Sequence, residues 1–131
     1  MLDRLKNLEQ NIAELNKFKN NNTPDSIKND IQKQWVIRYG LFESIQIVID
    51  VACHLTSKYN LGNPNNYSDC IDLLIRNKYL TPELGNKFTR MVGLRNLLIH
   101  EYVSIDLNKL FKLLDELDDF ARFSNEVKDV I

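Results

Sequence analysis

Arg90-Met91-Val92-Gly93-Leu94-Arg95-Asn96-Leu97-Leu98-Ile99-His100-Glu101-Tyr102 sets polar, chemically capable side chains into an apolar pattern. At ~100° per residue, Leu84, Phe88, Met91, Arg95, Leu98 and Tyr102 fall on one stripe of a helix. Arg95 therefore occupies a slot whose neighbours want burial, and arginine is rarely buried unless it is paired. On the same projection Asn96 and His100 share another face, ~140° round from Arg95. One straight helix through this stretch cannot aim Arg95 and His100 at a common atom. The period is helical, and the rest of the chain repeats it.

Upstream, Thr81-Pro82-Glu83 reads as an N-cap followed by proline at the first helical position, where a missing N–H is harmless. Before it, Ser68-Asp69 caps a short helix carrying Ile71, Leu74 and Ile75 and ending near Tyr79. Residues Asn60 to Tyr67 hold Gly62, Pro64 and four Asn, which makes them a loop. A second Thr-Pro pair, Thr23-Pro24, starts a long second helix that runs to about Tyr59, ~50 Å at ~1.5 Å per residue. Gly40 is its one internal place to bend. In its C-terminal half Leu41, Phe42, Ile45, Ile47, Val48, Ile49, Val51, Ala52, Cys53 and Leu55 wrap most of the circumference. Glu43, Gln46, Asp50 and His54 share one narrow stripe. A helix so apolar is covered on more than one side, and in a short chain a second subunit is a natural cover. The first helix, Leu2 to about Phe18, is amphipathic through Leu5, Leu8, Ile12 and Leu15. Downstream, Ser104-Ile105-Asp106 starts a last helix in which Leu107, Leu110, Phe111, Leu114, Leu117, Phe120, Ala121 and Phe123 include an apolar face, running toward Val127. With no strand alternation and no repeat, the expectation is an all-α bundle of about five helices with a long second helix, forming one domain over residues 1–131.

The bulk numbers agree. A length of 131 residues suits one domain, and 44% hydrophobic with 27% charged residues is ordinary for a globular protein. Four Gly and three Pro leave little material for turns, which favours few, long elements. A net charge of -1 denies the chain the overall basic field of proteins that hold nucleic acid through many phosphates, so any RNA contact is local or shared between subunits. Cys53 and Cys70 lack metal-ligand spacing and read as reduced, small apolar residues. No stretch reaches membrane-spanning length and no signal peptide opens the chain, so the expected location is cytoplasmic, with no membrane contact.

The chemistry is read from Arg95, Asn96, His100 and Tyr102, a polar cluster that destabilises a helical face unless it is paired or used. Arg and His suit RNA cleavage by internal transesterification. The 2′-hydroxyl needs a base, the leaving 5′-oxygen an acid, and the pentavalent phosphate added positive charge. Histidine serves as base or acid near neutrality, and arginine stays protonated and forks onto two phosphate oxygens. That scheme needs no metal and no cofactor. A symmetric dimer would bring two Arg/His sets to one cleft. The residues alone leave a second reading open, with Asn96 and His100 a surface pair and Arg95 the partner of a buried carboxylate such as Asp50 or Glu43. The stripe of Glu43, Gln46, Asp50 and His54 either lines the cleft or forms the wet face of the second helix, the latter being simpler, with Asp50–His54 an ordinary i,i+4 pair. Lys87, Arg90 and Arg95 make a modest basic cluster, with Arg76 and Lys78 as further candidates; such helix-surface charges are usually just solvated, but here they are where an RNA backbone would pass. Asp115, Glu116, Asp118 and Asp119 read as a solvated acidic face.

Arg95, four intervening residues, His100, Glu101 and Tyr102 resemble the Arg-x(4)-His-x-Tyr signature of the HEPN superfamily, most closely its HepT-like toxin branch. The likeness runs along nearly the whole chain, and its specificity lies in residues 90–102. The resemblance implies a HEPN-type helical bundle and a homodimer. It implies a metal-independent endoribonuclease toxin of a type VII-like toxin–antitoxin pair, with mRNA or tRNA as substrate. Arg95 and His100 would be the catalytic pair, with Asn96 supporting and Asp50 a further supporting candidate. Tyr102 would be the hydroxyl that a minimal nucleotidyltransferase antitoxin of the MntA type modifies with AMP. An anionic nucleotide there would crowd the site and offset the charge of Arg95. The alternative is a non-catalytic helical module that docks a nucleotidyltransferase or a nucleotide.

Overall fold

The computed structural model describes residues 1–100 and 104–131, and Glu101, Tyr102 and Val103 lie outside the described residues. Among the described residues seven α-helices follow in order: α1 Leu2–Asn21, α2 Pro24–Lys28, α3 Ile31–Lys58, α4 Tyr67–Arg76, α5 Pro82–Leu98, α6 Leu107–Leu113 and α7 Leu117–Val127. A 3-10 turn, Leu114–Glu116, joins the last two, and there is no strand among the described residues.

The helix expected to start at Pro24 does start there, held by a capping box in which Thr23 and Ser26 satisfy each other's backbone N–H groups. It does not run through to Tyr59. Asp30 accepts from the Lys33 N–H at 3.1 Å and so begins a new helix, while the Gln34 amide donates to the Ile27 and Lys28 carbonyls at the end of α2. Asn29-Asp30 is a local signal for this break, because short polar side chains compete with helical bonds and favour caps. At Gly40, which was expected to permit a bend, α3 is continuous. An added Cβ would stand 2.7 Å from Leu15 Cδ2, so the glycine lets α1 lie close against α3.

The apolar C-terminal half of α3 is the axis of the core. Leu41, Ile45, Ile47, Val48, Ile49, Val51, Ala52 and Leu55 are buried by the chain itself, chiefly under α1, α4 and α5. A second subunit is therefore not needed to cover them, which corrects the earlier expectation. What stays uncovered is the N-terminal half, where Ile31, Trp35, Val36 and Tyr39 are exposed. Against the other side, Phe88 of α5 meets Phe120 and Phe123 of α7 edge-on at 5.3 and 5.4 Å.

Two further expectations change. Cys53 of α3 and Cys70 of α4 form a disulfide, Cα atoms 5.0 Å apart, instead of standing as reduced apolar residues. Asp119 is not on a solvated face. It is buried at the α5–α7 contact, where Lys87 reaches it at 3.3 Å and Arg122 at 3.6 Å, whereas Asp115 pairs with Lys19 at 2.9 Å. No helix among the described residues is long and apolar enough to cross a membrane.

Candidate functional site

Arg95 stands in the last turn of α5, half-buried, with its side chain turned toward α3 and α4. Its Nε donates to Gln46 Oε1 at 2.8 Å and its Nη1 to Asn96 Oδ1 at 3.0 Å. The guanidinium carbon lies 5.4 Å from the ring centroid of Phe42 and 5.4 Å from that of Tyr67. Rings at this distance attract a cation through their quadrupoles and hold its plane. Behind Gln46, the amide Nε2 donates to Asp50 Oδ1 at 2.8 Å, and Arg4 of α1 donates to Asp50 Oδ2 at 2.5 Å. Three helices, α3, α4 and α5, with α1 one step back through Asp50, thus meet on one guanidinium. Among the described residues its hydrogen-bond acceptors are two neutral amides, so its charge is held without being matched by a touching carboxylate.

The second reading of the residues gave Arg95 a buried carboxylate partner, Asp50 or Glu43, and the wet face was the simpler reading of their stripe. The structure divides that stripe. Gln46 touches Arg95 and Asp50 stands one contact behind, its oxygens taken by Gln46 and Arg4. Glu43 faces Tyr39 instead, and its hydrogen bond and charge raise the Tyr39 phenol above its ordinary pKa. Gln46 as the contact, the Phe42 and Tyr67 rings, and the reach of Arg4 were not legible in the sequence. The cation in a core slot was the one signal that some acceptor had to face it.

α5 ends at Leu98, earlier than the pattern predicts. Ile99 is a turn residue and His100, exposed, lies beyond the helix with its N–H donating to the Leu97 carbonyl at 3.2 Å. The angular divergence of Arg95 and His100 assumed a straight helix through Tyr102, and that assumption fails. Asn96 sits on α5 with its side-chain oxygen on Arg95. Tyr102 itself lies outside the described residues. Lys87 is engaged by Asp119, and Arg90 is exposed ~140° round α5 from Arg95, so neither joins the Arg95 cluster.

Next to the cluster is a hollow of about 740 Å³. Phe42, Leu98 and Ile99 form its wall toward Arg95 and His100, and Trp35, Arg38 and Tyr39 its wall toward the start of α3. Trp35 is 61% and Tyr39 64% exposed, so this is a large apolar surface open to solvent at the edge of the polar cluster.

A family profile described as ribonuclease HepT-like matches residues 8–127. The chain is 30% identical over 102 residues to the mRNA nuclease HepT of Shewanella oneidensis, covering 77% of each protein. It is 32% identical over 108 residues to the tRNA nuclease HepT of Aphanizomenon flos-aquae, covering 82% of this chain and 73% of that one. Among solved structures it is similar to a tri-AMPylated HEPN toxin of Shewanella oneidensis in complex with its MNT antitoxin. The TM-score is 0.88 at 25% identity, over 98% of this chain and 96% of that one.

Proposed function

Because the chain belongs to the HepT-like ribonuclease family, we propose that it is an RNA-cleaving toxin whose catalytic pair is Arg95 and His100. The observation that carries this reading is the state of Arg95, fixed by two amides and two rings while its charge remains available for a phosphate. A guanidinium so held provides a preorganised cation for the pentavalent phosphate, which is worth most where no reorganisation is needed at the moment of reaction. His100, exposed at the end of the same helix, supplies general acid–base catalysis: one imidazole takes the 2′-hydroxyl proton, and one returns a proton to the leaving 5′-oxygen. The products are a 2′,3′-cyclic phosphate and a free 5′-hydroxyl, and no metal enters the scheme.

The protein acts as a homodimer. The support for this is the exposed apolar surface of Ile31, Trp35, Val36 and Tyr39 together with Leu97 and Ile99, which adjoins both Arg95 and His100. A second copy seated there would bring two Arg/His sets toward one cleft. The cognate antitoxin is a minimal nucleotidyltransferase that adenylylates Tyr102 in the cytoplasm. The support is the match to an AMPylated toxin bound to its antitoxin and the position of Tyr102 two residues after His100.

The test is cleavage of labelled mRNA and tRNA by the pure protein in EDTA, with Arg95→Ala and His100→Ala beside the wild type. Circular dichroism and sedimentation establish that each is folded and dimeric. Cleavage by the wild type and its loss, by about a hundredfold or more, in both variants is expected. Undiminished cleavage by either variant removes that residue from the catalytic pair. A protein that binds the antitoxin and never cuts RNA is a docking module.

A further inference from the structure

Gln46 lies between a cation that can only donate and a carboxylate that, ionised, can only accept. Its Oε1 receives the Arg95 Nε–H at 2.8 Å and its Nε2 donates to Asp50 Oδ1 at 2.8 Å. Only one orientation of the amide satisfies both neighbours, so Asp50 sets which end of Gln46 faces Arg95. Asp50 is in turn fixed by Arg4 at 2.5 Å, across the α1–α3 contact. The interposed amide also keeps the Asp50 charge off the guanidinium. A carboxylate in direct contact would hold Arg95 as firmly but would match the charge that a phosphate has to meet.

Resting on the ribonuclease reading above, we propose that Arg4, Asp50 and Gln46 are positioning residues for the known family reaction. Through a neutral last link they fix the Arg95 guanidinium and leave its charge for the RNA phosphate.

Three variants separate this from a merely structural role. Gln46→Leu removes the acceptor but leaves the charge of Arg95 and its two rings; kcat falls roughly tenfold to a hundredfold. Binding of a non-cleavable 2′-O-methyl RNA pool stays within about threefold of wild type. Gln46→Glu keeps an acceptor and adds a touching charge; binding of the same pool weakens about tenfold and its salt dependence becomes shallower. The exchange Arg4→Asp with Asp50→Arg keeps an ion pair between α1 and α3 but presents Gln46 with a donor. The amide then turns its NH2 toward Arg95, so the exchange melts like the wild type and cleaves like Gln46→Leu. The Arg95 Nε–H resonance is expected to exchange slowly in the wild type and quickly in Gln46→Leu and in the Arg4–Asp50 exchange. Wild-type kcat in Gln46→Leu, or equal effects of Gln46→Leu and Gln46→Glu on RNA binding, overturns the relay. Equal cleavage by wild type and Arg95→Ala instead overturns the ribonuclease reading on which it rests.

Discussion

Replacing Arg95 by lysine keeps the charge and removes the geometry, which makes it the sharpest perturbation of the site. A lysine ammonium has no Nε–H to give Gln46 while its tip reaches elsewhere, no second nitrogen for Asn96, and no plane to lie between Phe42 and Tyr67. The two ring contacts contribute ~0.5–1 kcal/mol each at a half-exposed position. The bond to Gln46 adds ~1 kcal/mol. Lysine retains part of this through its stem, so folding should lose about 1–2 kcal/mol, a fall in Tm of roughly 3–8 °C. Activity should lose more. A fork on two phosphate oxygens becomes a point charge, ~1–2 kcal/mol. A cation displaced by ~1 Å can cost about another hundredfold. The combined fall is roughly five-hundredfold to three-thousandfold in single-turnover cleavage at saturating protein. The assay is run well below both melting temperatures, with the folded fraction checked by circular dichroism. Cleavage by Arg95→Lys within about fivefold of wild type would refute the claim that the guanidinium geometry, and not just a positive charge, is what the site uses.

Lys87→Ala should lower stability by ~1–3 kcal/mol in urea unfolding, since Asp119, whose side chain is 8% exposed, keeps among the described residues only the more distant Arg122. RNA affinity and its salt slope should not change; a slope reduced by about one would return Lys87 to the RNA path. Gly93→Ala places a methyl where no atom of the described residues stands within 4 Å, on an exposed turn of α5. It should raise stability by ~0.5–1 kcal/mol, and a lower Tm in the dimer would mean that a second copy presses on that face. Tyr102→Phe should cleave RNA like the wild type, gain no nucleotide mass on incubation with antitoxin and ATP, and go uninhibited; modification of this variant would move the target to another residue.

The sequence by itself determined the helical class and several of its starting points, because caps and hydrophobic period are local. Thr23-Pro24 and Asp106 begin helices where they were expected to, and Arg95 was recognisable as a cation in a core slot. Where α5 stops was not settled, since the apolar stripe continues past Leu98 in the sequence and only the packed chain ends the helix before His100. The tertiary structure also chose Gln46 over Glu43 and Asp50 as the neighbour of Arg95, and buried Asp119 while leaving Asp115 exposed. Residues one helical turn apart look alike to a periodicity argument. Which of them meets a distant side chain depends on how α1, α4, α5 and α7 seat against one another, and that is decided by burial of the whole core at once.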